Sequence, residues 1–142
     1  AIGGTSGILI QFPLYFGIMG IMSGTGLVEA LSMAMVRLST PQTFELWTVL
    51  SAGIVNVFVP SGGGQWAVQG PLLIRAALDL GVPLDRTILA MAYGDELTNM
   101  LQPFWALPLL GITGLAAKDI LPFTVRFLAA GLLVCLTLTV II

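Results

Sequence analysis

The sequence has 142 residues, of which 57% are hydrophobic and only 8% are charged. A soluble domain usually carries about 25% charged residues, so this composition excludes an ordinary soluble domain and predicts a membrane protein. At about 20 residues per helical crossing, the length allows roughly five passages through a bilayer. We therefore expect one multi-pass transmembrane domain over residues 1–142, of the all-α class.

The residue types that are missing exclude several kinds of site. The sequence has no histidine and a single cysteine, Cys135, so it cannot supply a His/Cys metal site, a histidine-assisted nucleophile or an internal disulfide. We expect no enzyme activity, no bound metal and no cofactor. The five basic residues are scattered singly, which leaves no patch for nucleic acid.

Two hydrophobic segments occupy the first forty positions. The first, residues 2–22, predicts a transmembrane helix in which small residues are tolerated because helices pack closely there. In the second, residues 27–38, the apolar side chains share one helical face, and Glu29 and Arg37 lie away from it. Because this segment is too short to cross a bilayer, it predicts an amphipathic helix in the membrane interface.

Residues 41–80 predict a helical hairpin that enters and leaves the membrane by the same face. A helix start is expected at Thr40 and Pro41, and the apolar part of that helix ends at Pro60. This apolar part rises only about 16 Å, roughly half of a hydrocarbon core about 30 Å thick. The tip, residues 60–65, would then lie inside the membrane, where three glycines let the chain turn. The alternative is a surface turn between two thin crossings.

Residues 85–113 predict a transmembrane helix that is interrupted. The stretch is too long for one crossing and too short for two, and a glycine, two carboxylates and two cap residues fall in its middle. We therefore expect the interruption at Gly94–Asn99, with a solvated loop between short helices as the alternative. Residues 120–142 predict a last transmembrane helix.

The candidate ligands are the polar and glycine residues at the two interruptions. Irregular backbone within a bilayer survives only where protein buries it or where it lines a watery cavity. Free amides at the tip could receive a carboxylate, so the candidate substrate-binding residues are Ser61, Gly62, Gly63, Gly64 and Gln65. Oxygen atoms near the end of the first arm and at the break could hold a cation or contact substrate, which makes candidates of Asn56, Asp95, Thr98, Asn99 and Gln102.

Two long strings resemble the signature stretches of the bacterial short-chain fatty acid transporter family: VPSGGGQWAVQGP at residues 59–71 and GDELTNMLQPFWALP at residues 94–108. The resemblance covers essentially the whole chain and looks like the C-terminal part of such a transporter, within the ion transporter superfamily. It implies a symporter of the bacterial cytoplasmic (inner) membrane, with two inverted repeats that each hold a re-entrant hairpin and a discontinuous helix. The implied mechanism is an elevator-like shift, and the implied substrates are short-chain carboxylates such as acetoacetate and butyrate.

This chain departs from the family in length, because it holds one hairpin and one broken helix where the fold needs two of each. We therefore expect a fragment, the C-terminal repeat of an inverted-repeat transporter. Besides membrane lipid, its expected partner is the missing N-terminal repeat or a second copy in a homodimer. The coupling ion is expected to be Na⁺ or H⁺.

Two other function classes stay open. A small hydrophobic chain with a re-entrant loop also allows a pore or a non-transporting partner subunit. A membrane-embedded enzyme would use Asp95 and Glu96 as an acid/base pair. Neighbouring helical residues point about 100° apart and do not converge on one atom, which disfavours the enzyme.

Overall fold

The structure is a computed structural model that describes residues 6–102 and 106–141. These residues form helices and no strands, so the predicted all-α class is confirmed for the described part of the chain. The helices are α1 (Ser6–Gly24), α2 (Leu27–Leu38), α3 (Phe44–Phe58), α4 (Gly62–Leu80), α5 (Leu84–Asn99), α6 (Leu107–Thr113) and α7 (Ala117–Ile141). The first and last positions of the predicted terminal helices lie outside the described residues.

The N-terminal pair α1 and α2 meets at a sharp bend. Gly26 precedes α2 with a φ of 73°, a left-handed conformation that glycine adopts without steric cost. The axes of the two helices differ by 59° across this break. Val28 and Ser32 are fully buried and mark the side of α2 that faces the rest of the protein.

The first arm of the hairpin, α3, begins later than predicted. It starts at Phe44 and not at Pro41, because the preceding residues form a turn of their own. The Thr43 amide donates to the Thr40 carbonyl at 3.0 Å, and the Thr40 amide donates to Thr43 Oγ1 at 2.9 Å. Thr43, and not Thr40, is therefore the residue that precedes the helix.

The glycines at the tip also differ from their predicted role. They do not form the turn, because Gly62, Gly63 and Gly64 are the first turn of α4. The turn is made by residues 59–61, where the Ser61 amide donates to the Val59 carbonyl at 2.7 Å. Ser61 caps α4, since its Oγ accepts a hydrogen bond from the Gly64 amide at 3.2 Å.

The interruption predicted at Gly94–Asn99 is in the wrong place. The helix α5 continues through these residues to Asn99, and the next helix begins at Leu107. Gly94 lies inside this helix, and its missing side chain lets α5 pack closely on α3. A Cβ atom at Gly94 would clash with the Val49 carbonyl and would lie 2.9 Å from the Gly53 amide nitrogen.

The helix α3 lies at the centre of the fold. It packs along α5 and also contacts α1, α2, α4 and α7. One apolar cluster joins both arms of the hairpin to α5 and includes Phe44, Leu73 and Met91. A second includes Val28 and Val55 and joins α3 to α2. The tip of the hairpin lies beside the C-terminal half of α5, where Asp95 is next to Gly62.

Helix length and composition support fewer crossings than predicted. Among the described residues, the helical stretch Ala117–Thr139 is long and apolar enough to span a bilayer by itself. The bent pair Phe12–Gly24 and Leu27–Leu38 would add a second span if both helices belong to one crossing. The multi-pass arrangement therefore stays a prediction.

Candidate substrate and ion site

The buried side chain of Asn56, on α3, is the centre of the candidate site. Its Nδ2 donates to the Asp95 carbonyl at 2.7 Å, to Thr98 Oγ1 at 3.0 Å and to Asn99 Oδ1 at 2.9 Å. The carbonyl of Asn56 accepts a hydrogen bond from Gln102 Nε2 at 2.7 Å. The structure thus brings together all five residues that the sequence proposed for the ion or the substrate.

The close crossing of α3 and α5 explains why these residues meet. A Cβ atom at Gly53 would lie 3.1 Å from Thr98 Cγ2 and 3.5 Å from the Gly94 carbonyl oxygen, so glycines on both helices allow the approach. Positions three and four apart share a helix face, which places Asp95, Thr98 and Asn99 together on the side of α5 that meets Asn56. Helical geometry, and not a loop, therefore gathers the site.

The carboxylate of Asp95 lies at the N-terminus of α4. A Cβ atom built on Gly62 would be 3.3 Å from Asp95 Oδ2. A helix N-terminus carries partial positive charge and attracts an anionic side chain. Asp95 Oδ1 is buried and accepts no hydrogen bond from the described residues. The position that the sequence suggested for the substrate carboxylate is therefore close to a carboxylate of the protein itself.

The tip of the hairpin keeps two exposed glycines, Gly62 and Gly63. The next two amides are already used, because Gly64 donates to Ser61 Oγ and Gln65 donates to the Ser61 carbonyl at 2.7 Å. No acceptor within the described part of the chain takes the Gly62 or Gly63 amide. The surroundings of Gly63 are open, since a Cβ atom added there would meet no neighbouring heavy atom within 4 Å. These two amides are the accessible donors of the tip.

Gln65 points away from the exposed tip and into the hairpin. It is fully buried, and its Nε2 donates to the Ala52 carbonyl at 2.9 Å and to Gln69 Oε1 at 2.8 Å. Gln69 Nε2 continues the network to Ser51 Oγ at 3.1 Å. Sequence reasoning missed Gln69 and Ser51. The signal for Gln69 was its spacing of four residues from Gln65, which places both glutamines on one face of α4. This network ties the two arms together.

Several buried oxygen atoms in this region have no hydrogen-bond donor among the described residues. They are Asn56 Oδ1, Gln65 Oε1, Asp95 Oδ1 and Gln102 Oε1. Leaving a buried acceptor unsatisfied costs about 1–3 kcal/mol. Oxygen atoms of this kind can be satisfied by ordered water or by a bound cation, which carbonyl and carboxylate oxygens coordinate.

The sequence matches a family over almost its whole length. The model of the family described as "Short chain fatty acid transporter" matches residues 1–141. The chain belongs to the short-chain fatty acid transporter family. Membership of this family implies a membrane protein.

Two curated relatives carry the name "Putative short-chain fatty acid transporter". The protein of Escherichia coli (strain K12) is 42% identical over 136 residues, which are 95% of this chain and 31% of the relative. The protein of Haemophilus influenzae (strain ATCC 51907 / DSM 11121 / KW20 / Rd) is 45% identical over 119 residues, which are 84% of this chain and 27% of the relative. The chain therefore spans about a third of the length of these relatives, in their C-terminal portion. No solved structure matches it.

Proposed function

We propose that this chain forms part of a secondary active transporter for short-chain carboxylates of the acetoacetate and butyrate type. The observation that carries the proposal is the cluster around Asn56, in which the end of α3 meets the end of α5 and the Asp95 carboxylate reaches the tip of the hairpin. Family membership supports a transporter, and the names of the relatives support the substrate class. Because the chain spans about a third of these relatives, the remaining protein is proposed to supply the other part of the site.

The substrate carboxylate is proposed to bind at the exposed start of α4. The amides of Gly62 and Gly63 have no acceptor within the described residues, and the helix N-terminus favours an anion. The hydroxyl proton of Ser61 is available to the same carboxylate, because Ser61 Oγ serves Gly64 only as an acceptor. Gln65 would act by holding the arms together, since its amide group lies in the buried network.

Asp95 is proposed to couple the substrate to an ion. Its carboxylate lies at the same helix end as the proposed substrate carboxylate, and two neighbouring anions repel each other. Either Na⁺ bound between the carboxylates or a proton on Asp95 would remove that repulsion. The oxygen atoms of Asn56 and Gln102 that have no donor would complete the coordination of the cation.

The proposed membrane arrangement is a re-entrant hairpin, α3 and α4, beside a discontinuous helix, α5 and α6. The 15 residues of α3 rise about 22 Å, less than a hydrocarbon core about 30 Å thick. The arrangement fits one of two inverted repeats that move by an elevator-like shift in the bacterial cytoplasmic membrane. The other repeat, or a second copy, would cover the face that α3 and α5 leave open.

The test is uptake of labelled butyrate and acetoacetate into proteoliposomes that contain the full-length protein, with an imposed Na⁺ or proton gradient. Two variants remove the proposed coupling group and fill the exposed tip, Asp95→Asn and Gly63→Leu. We expect one gradient to drive uptake in the unmodified protein and both variants to lose at least about nine-tenths of it, as for loss of a charge-assisted contact.

The matched control is Glu96→Gln, which removes the neighbouring and exposed carboxylate and should leave uptake close to that of the unmodified protein. Transport by both site variants at the unmodified rate would show that the tip and Asp95 are structural. Flux that follows the concentration gradient alone, with no response to either ion gradient, would instead indicate a pore.

A further inference from the structure

A groove between α2 and α4 lies apart from the candidate transport site. Its volume is about 290 Å³, near the lower end of ligand pockets, which measure about 300–1,000 Å³. The groove is lined mainly by apolar side chains, here called its floor, which include Met33, Leu72 and Ala76. Three exposed charged side chains also line it and are here called its rim, namely Arg37, Arg75 and Asp79. The groove therefore combines an apolar interior with a polar opening.

The rim carries a net positive charge. Arg37 lies in the last turn of α2, is exposed, and has no acidic partner among the described residues. Arg75 pairs with Asp79 at 3.3 Å, and both side chains are largely exposed. Two arginines and one aspartate leave one positive charge, which favours an anionic group at the opening of the groove.

On both helices an apolar residue of the groove lies about one turn before an arginine, and on α4 the lining residues Ala76 and Leu80 follow the arginine. Met33 precedes Arg37 by one helical turn in α2, and Leu72 precedes Arg75 by about one turn in α4. The Glu45–Arg86 ion pair, at 2.9 Å, lies where α3 and α5 begin, so charges gather at this mouth of the hairpin. Charged groups at helix ends of membrane proteins lie near the water boundary, and apolar residues one turn away lie deeper.

We propose that this groove binds an anionic phospholipid. Its phosphate contacts Arg37 and Arg75, and one acyl chain lies along Met33, Leu72 and Ala76. Basic pockets between membrane helices bind anionic headgroups, whereas a free phosphate ion would gain nothing from the apolar floor. A zwitterionic lipid has no net negative charge, so the positive rim would increase its affinity less. This binding does not depend on the proposed transport activity.

The test is native mass spectrometry of the full-length protein in detergent, titrated with phosphatidylglycerol and with phosphatidylcholine of the same chain length. We expect tighter binding of phosphatidylglycerol, and we expect Arg37→Gln to weaken it about fivefold, the effect of one basic residue near an anionic lipid. Arg75→Gln should weaken it less, because Asp79 already offsets that charge. Asp79→Asn should strengthen it.

Two control variants distinguish a lipid bound in this groove from a general effect of charge. Lys118→Gln removes an exposed cation at the start of α7 and should change nothing. Ala76→Leu keeps both arginines and fills the floor, so it should weaken phosphatidylglycerol as well. An unchanged lipid preference in both Arg37→Gln and Ala76→Leu would overturn the proposal. Displacement of the bound lipid by millimolar inorganic phosphate would overturn it too, because it would indicate a free-anion site.

Discussion

Asn56 has an unusual number of acceptors around one side-chain nitrogen. Its Nδ2 carries two hydrogen atoms and lies within 3.0 Å of three acceptor atoms, all of them on α5. Aspartate at this position would place an anion against the Asp95 carbonyl and would have no proton to donate. The amide is therefore suited to joining α3 to the C-terminal half of α5.

Replacing Asn56 by alanine tests this joint. Asn56→Ala removes the two Nδ2 protons that face the acceptors on α5, so we expect a loss of about 1–3 kcal/mol in the free energy of unfolding, and a loss of uptake. The measurement is the midpoint of thermal unfolding in detergent, together with butyrate uptake. Thr98→Val is the matched comparison, because it keeps the shape of the side chain and removes one acceptor of the three.

Thr98→Val is the smaller change and should lower the midpoint of thermal unfolding less than Asn56→Ala does. If Thr98→Val lowers the unfolding midpoint more than Asn56→Ala does, the hydrogen bonds of Asn56 are not what joins α3 to α5. The Thr98 hydroxyl, which also donates to the Gly94 carbonyl at 3.1 Å, would then be the stronger term.

Single residues of the site were predictable to different degrees. Asn56, Asp95 and Gln102 stand out because each is a polar residue in an apolar stretch, and such residues in membrane segments are costly without a role. The inward direction of Gln65 was not predictable. It depends on the rotation of α4, which is set by where the helix begins, and the sequence pattern placed the glycines before that start.

Among the elements, the crossing of α3 and α5 shows why the predicted break was misplaced. Glycine in a membrane segment favours either an interruption or a close helix approach. Gly94 takes the second role, and its partners Val49 and Gly53 lie far away in the sequence. No local pattern around Gly94 identifies a distant partner, so the position of the discontinuity could not be predicted, whereas the helical character of the stretch could.

Gly94→Ala tests the close approach of these two helices. The added methyl group would clash with the Val49 carbonyl and lie 2.7 Å from Ala52 Cβ, so we expect a destabilisation of about 1–3 kcal/mol, as for an overpacked interior. Gly63→Ala is the control, since that position is open and lies in the first turn of α4. Both variants are compared by the midpoint of thermal unfolding. A Gly94→Ala protein as stable as Gly63→Ala would mean that the helices pack less tightly than the structure shows.

At the scale of the whole molecule, apolar side chains face outward on the flanking helices. Leu9 and Ile10 on α1 are 70% and 67% exposed, and Phe127 and Leu133 on α7 are 68% and 71% exposed. Such surfaces are costly in water and suit lipid or a further part of the protein. The composition predicted this, because a chain with so few charged residues cannot cover its outside with polar groups.

The depth of the hairpin tip can be tested by cysteine labelling. Cys135, the one cysteine of this sequence, is first replaced by alanine together with any cysteine in the rest of the full-length protein, and this background should give no labelling. Asp85→Cys, Lys118→Cys and Gly63→Cys are then treated with a membrane-impermeant maleimide from each side of the membrane. We expect Asp85→Cys and Lys118→Cys to react from opposite sides, because α5 and α6 would lie between them. Gly63→Cys should react more slowly than either, since the short α3 would leave the tip inside the membrane. Rapid labelling of Gly63→Cys from the Lys118 side would instead place the tip at the surface and make α3 and α4 two thin crossings.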